Sequence, residues 1–206
     1  FAASAIFVGV PVNLALFGES SLPFVLLYFL ANALWFWTVG NYCISMDGET
    51  AAPAIVSLAT LRNIFSPPLI SFTVALLLVF ASVKPPAFLL ATAKYLGSMT
   101  TPLSLLFIGV VMHGVNLKKL RLDRDILGVL IGRFIVSPLA VLLVAAYFPI
   151  PDFMKKVFVI QAALPAMTQT SILASMYKAD VEYAATLVSV TNLAALVAIP
   201  IYMTLV

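Results

Sequence analysis

The chain has little charge and almost none of the side chains that metal or nucleophile chemistry needs. Its 206 residues hold eleven Lys and Arg, eight Asp and Glu, one His and one Cys. A lone His113 and a lone Cys43 cannot build the common three- and four-ligand metal sites. Cys43 has no partner for an internal disulfide and reads as a small buried apolar residue. No glycine-rich phosphate cradle is present. Asp123 and Asp125 stand in a basic loop and read as solvated surface. No Asp or Glu lies within the apolar stretches, which excludes a carboxylate proton relay there. A net charge of +3 with short loops does not argue for nucleic acid. These absences exclude an enzyme, a cofactor and a metal, and nothing alternates with period two as a barrel strand would.

What is present is apolar: 63% of residues are hydrophobic and the mean hydropathy is +1.13. A soluble domain holds about 45–50% apolar and about 25% charged residues. This chain needs lipid as its solvent. Seven membrane elements are expected, over about 1–17, 22–43, 67–83, 90–115, 126–148, 153–176 and 181–206. The first is interrupted at Gly9-Val10-Pro11 and the sixth at Pro165. A short surface helix is expected over 49–59. Phe1 opens directly into apolar sequence without a charged n-region, so the start reads as the later part of a longer protein rather than a signal peptide. Lys118, Lys119, Arg121 and Arg124 mark the loop after the fourth element as cytoplasmic. Alternation then puts Arg62 and Lys178 on the same side and Lys84, Lys155 and Lys156 outside. Within the fifth element Arg133 reads as a side chain snorkelling to the cytoplasmic interface. Trp35 and Trp37 read as interface-belt or packing residues.

A shift of 160 positions lays Ala15–Leu34 over Ser175–Ala194 without a gap. Phe17 then falls on Tyr177, Ser20 on Asp180, Leu27 on Leu187 and Asn32 on Asn192. Two proline-broken apolar segments in corresponding places point to a secondary transporter with its site near the bilayer midplane. Polar residues gather there: Ser4 and Asn13 around Pro11, and Gln161, Thr168, Gln169, Thr170 and Ser171 around Pro165, with Asn32 and Asn192 in the helices that follow. Interhelical hydrogen bonding would explain any one of them; as a set they point to a polar cavity. Freed helix N-termini at the breaks suit a carboxylate. The substrate-binding set is therefore Ser4, Val10, Pro11, Asn13, Asn32, Gln161, Pro165, Thr168, Gln169 and Asn192. His113 is the candidate for proton coupling, because it titrates near neutral pH.

At these residues the chain resembles the auxin efflux carrier family, which includes plant auxin exporters and bacterial malonate carriers. Val8-Gly9-Val10-Pro11 followed by Leu14-Ala15-Leu16-Phe17-Gly18 looks like the first crossover of the family. Gln161-Ala162-Ala163-Leu164-Pro165, with Ala174 and Tyr177 after it, resembles the second. Ser66-Pro67-Pro68-Leu69-Ile70 is similar to the start of the sixth helix. The resemblance covers essentially the whole chain. It implies an all-α fold of ten helices in two inverted five-helix repeats, like that of bile-acid transporters, with this chain matching the fourth to tenth helices and the first three missing. Residues 1–45 would then end the first repeat, 46–66 connect on the cytoplasmic side, 67–117 form scaffold helices that dimerise, and 118–206 carry the second crossover in the moving transport domain. Ser4 and Ser66 stand where the family often carries Asn, so substrate identity does not carry over. The short central loop looks bacterial.

The expectation is a multi-pass carrier of a small organic anion in the bacterial inner membrane, surrounded by lipid, homodimeric, and working by elevator-like alternating access. A non-transporting sensor with a transporter fold and a sodium-coupled carrier of the bile-acid type are the alternatives. An ion channel is disfavoured because no filter-like or charge-ring pattern occurs.

Overall fold

The computed structural model describes residues 2–48, 67–113 and 124–205. Their helices are α1 (Gly9–Phe17), α2 (Leu22–Trp35), α3 (Asn41–Met46), α4 (Pro67–Phe80), α5 (Ala87–Ser98), α6 (Thr100–His113), α7 (Arg124–Ile131), α8 (Ser137–Tyr147), α9 (Asp152–Ala162), α10 (Gln169–Tyr177) and α11 (Val181–Leu205). Three continuous rods are long and apolar enough to cross a membrane: Glu19–Met46, Arg124–Tyr147 and Val181–Leu205. The protein is an all-helical, multi-pass membrane protein. The expected surface helix over 49–59 and the basic loop after α6 lie outside the described residues, as does the side chain of His113.

Two of the rods contain a π turn, and each has a local cause. Phe36–Gly40 joins α2 to α3. There the Thr38 hydroxyl donates to Leu34 O at 2.6 Å and competes within the backbone ladder. Gly132–Val136 joins α7 to α8, just before Pro138. Pro138 has no N–H for the carbonyl of Phe134. The Tyr202 hydroxyl of α11 donates to that carbonyl at 2.5 Å instead. Proline also splits the fourth expected element. It is two helices parted at Met99, because Pro102 in the first turn of α6 cannot donate to the carbonyl of Ser98.

The core lies where α1, α2 and α9 meet. Val10, Val25 and Val157 are buried there under Phe17, Phe24 and Phe153. Phe153 packs edge-on against Phe17 and Phe24, at 5.7 and 5.8 Å between ring centres. The helices α4 to α6 are different: Phe80 is 78% exposed, Phe88 73% and Val110 71%. Such faces need lipid or a protein partner. Cys43 is exposed, against the expectation of burial, because α3 turns it away from α10.

The 160-residue shift applies to structure as well as sequence. It carries Gly9–Phe17 onto Gln169–Tyr177, residue for residue. It carries Gly18, at φ +71°, onto Lys178, at φ +56°. Both helices end in a residue of positive φ, a common way to stop a helix.

Candidate functional site

The site is built on two unwound segments that cross. Ala2–Ser4 precedes a turn and then α1, and 163–168 separates α9 from α10. The segments run antiparallel, with Ala3 facing Ala166. Ser4 N–H donates to Pro165 O at 3.0 Å, and Met167 N–H donates to Ala2 O at 3.1 Å. Small residues permit this approach: Ala2, Ala3, Ser4 and Ala5 meet Ala162, Ala163 and Ala166, all buried.

Extended backbone in a membrane must find partners for every N–H and C=O. Here side chains supply them. The Asn32 amide acts as a missing strand: it accepts from Ala3 N–H at 2.8 Å and donates to Ala3 O at 3.0 Å. The Thr191 hydroxyl accepts from Ala166 N–H at 3.2 Å. Gln161 Nε2 reaches Ala5 O at 3.5 Å. Arg133 Nε donates to Leu164 O at 2.5 Å. Arg133 is 1% exposed, so it does not snorkel to the interface as its place in the sequence suggests. The π turn after α7 points it inward, to a carbonyl that no helix satisfies.

The prolines have different parts. Pro165 lies in the second unwound segment, as expected, and is buried. Pro11 does not interrupt the first. It is the third residue of α1, in the first turn, where an N–H has no helical partner anyway. The unwinding lies upstream, over Ala2–Val8, and the helix-matching shift lays Pro11 over Ser171.

A cavity of about 190 Å³ opens beside the crossing. Ser4, Ala5, Ile6, Phe7, Phe29, Ala33, Trp37, Met167 and Gln169 line it. Of the ten sequence candidates, Ser4 and Gln169 reach this lining. Gln169 is the first residue of α10, and its Oε1 is buried without a hydrogen bond among the described residues. Asn13 and Gln161 lie together behind the cavity, fully buried and joined through Gly9. Asn13 Nδ2 donates to Gly9 O at 2.8 Å, and a Cβ on Gly9 would come within 2.6 Å of Gln161 Oε1. Asn13 Oδ1 and Gln161 Oε1 are likewise buried acceptors without a donor among the described residues. Val10 belongs to the apolar core. Thr168 precedes α10 and is half-buried. Asn192 donates to Val188 O, one turn back on its own helix.

Sequence reasoning missed Arg133, Thr191 and the aromatic lining of Phe7, Phe29 and Trp37. A single Arg in an otherwise uncharged span was the available signal for the first. Nothing in the sequence separates Trp37, in the cavity, from Trp35, which is 56% exposed.

An all-helical membrane protein with two unwound segments crossing between half-helices has the build of a secondary transporter. Residues 4–203 match the family described as membrane transport protein, and the chain belongs to that family, the one of the auxin efflux carriers. It is also 27% identical to an uncharacterised transporter of Methanocaldococcus jannaschii, over 95% of this chain and 63% of the relative. The chain thus spans less than two thirds of that relative's length. No solved structure matches it.

Proposed function

We propose that the protein carries a small organic anion across the inner membrane, with the solute held at the crossing of the two unwound segments. The observation that supports this most is the cavity beside the crossing, which has Ser4 and Gln169 at its polar edge and the N-terminal ends of α1 and α10 close by. Each helix start offers free N–H groups and about half a positive charge, which suits a carboxylate. Phe7, Phe29, Trp37 and Met167 would receive the apolar body of the solute. The volume suits a small solute, since drug-sized ligands occupy about 300–1,000 Å³. Asn13, Gln161 and Thr168 support the polar edge from behind. Asn32, Asn192, Val10, Pro11 and Pro165 hold the crossing in shape.

In this reading the protein is a carrier and not an enzyme. The two halves form inverted repeats, and the antiparallel pairing of Ala3 with Ala166 favours that arrangement. The crossing moves with its surrounding helices against a dimeric scaffold that includes α4 to α6. The apolar exposure of those helices supports a lipid and subunit-facing role.

The test is solute counterflow in proteoliposomes holding the full-length protein, with a labelled carboxylate panel and imposed proton or sodium gradients. Saturable exchange that Gln169→Leu lowers at least about tenfold supports the site. Exchange that ignores Gln169→Leu and Ser4→Val removes it. Saturable binding without flux would identify a sensor, and sodium-dependent uptake would identify the bile-acid type of coupling.

A further inference from the structure

The crossing contains a buried full charge. Arg133 is 1% exposed, and its guanidinium donates from Nε to Leu164 O, two residues beyond the end of α9 and directly before Pro165. Tyr28 of α2 packs against the cluster of Ala3, Val8 and Leu164 and lies within electrostatic reach of Arg133. The acidic side chains among the described residues (Glu19, Asp47, Asp125, Asp152, Asp180 and Glu182) are all exposed.

Helix ends set the field that a solute meets here. The starts of α1 and α10 bring roughly half a positive charge each, and the end of α9 brings roughly half a negative charge. Together they leave about half a positive charge. Arg133 binds at the negative end and raises the sum to about one and a half. Charges act strongly across the low dielectric of a membrane interior.

We propose that Arg133 is the residue that makes the crossing select anions: it cancels the carbonyl end of α9 and leaves the two helix N-termini as the dominant field. Leu164 O gives the guanidinium a fixed seat, and the π turn of Gly132–Val136 carries it there. This rests on the crossing being the solute site. Arg133 is a specificity-determining residue acting through the field, so its mark is a change in charge preference rather than a general loss of affinity.

The experiment compares each acid with its neutral amide. Benzoate with benzamide, and malonate with malonamide, are titrated into the purified full-length protein, following Trp fluorescence, with Trp37 in the cavity lining. The wild type binds the acids more tightly than the amides. Arg133→Lys keeps that ratio within about threefold. Arg133→Gln lowers it by about tenfold, within the usual range of coupling between neighbouring sites, and leaves amide affinity unchanged. If Arg133→Gln does not fold, Tyr28→Glu sets a carboxylate beside the guanidinium and lowers the ratio in the same way. An unchanged ratio in Arg133→Gln, or in Tyr28→Glu where that variant stands in, overturns the inference and leaves the anion site intact. A wild type that prefers none of the acids overturns the anion reading and this inference with it.

Discussion

Replacing Asn32 tests whether side chains really complete the unwound backbone. Ala3 is fully buried, and its N–H and C=O both bond to the Asn32 amide, at 2.8 and 3.0 Å. Asn32→Ala removes both partners at once. A buried backbone group left without a partner costs about 1–3 kcal/mol, so two cost about 2–6 kcal/mol. Side-chain hydrogen bonds in membranes average less, near 0.6 kcal/mol, because the unfolded chain finds other partners. Ala3 is extended and has no helical ladder to fall back on, which puts the expectation at about 2 kcal/mol or more. Thermal and SDS unfolding of the full-length protein in detergent measures it. Asn32→Asp sharpens the test. A protonated carboxyl can accept from Ala3 N–H and donate to Ala3 O, as the amide does; an ionised one cannot donate. The folded state of Asn32→Asp therefore holds its proton more firmly than the unfolded chain does. Its stability is highest at low pH and falls as pH rises through the range where the folded form loses that proton. A loss under about 0.5 kcal/mol in Asn32→Ala would refute the reasoning, as would an Asn32→Asp variant whose stability relative to wild type ignores pH.

Two further substitutions probe the supports of the crossing. Gly9→Ala would bring a methyl group within 2.6 to 2.8 Å of the Gln161 amide and Leu164 Cδ1, so α1 and α9 must part; a loss of about 1–3 kcal/mol in detergent unfolding is expected, with slowed counterflow. Tyr202→Phe leaves Phe134 O without its hydroxyl donor beside Pro138; a loss of about 1–2 kcal/mol is expected on the same unfolding scale.

Much of the helical plan was legible in the sequence because lipid imposes it. Apolar runs of membrane length, proline at Pro165 and the 160-residue match each follow from local composition. The match proved tighter in structure than in sequence, since α1 and α10 coincide residue for residue although few of their residues are identical. Proline was less reliable as a marker. Pro11 starts a helix and Pro165 lies in an unwound segment, because the effect of proline depends on how many residues of helix precede it. The short runs Ala2-Ala3-Ser4-Ala5 and Ala162-Ala163 were the better sign of where two backbones touch.

The sequence by itself determined the solvent, the helical class and the family, since hydropathy and crossover motifs are properties of contiguous residues. Only the tertiary structure decided what each polar residue does. Asn32 and Thr191 complete backbone from 29 and 25 residues away, Gln161 reaches across 156 residues to Ala5, and Arg133 turns inward to Leu164. Those partners are distant in the chain and are fixed by the need of unwound backbone for hydrogen bonds where water is absent.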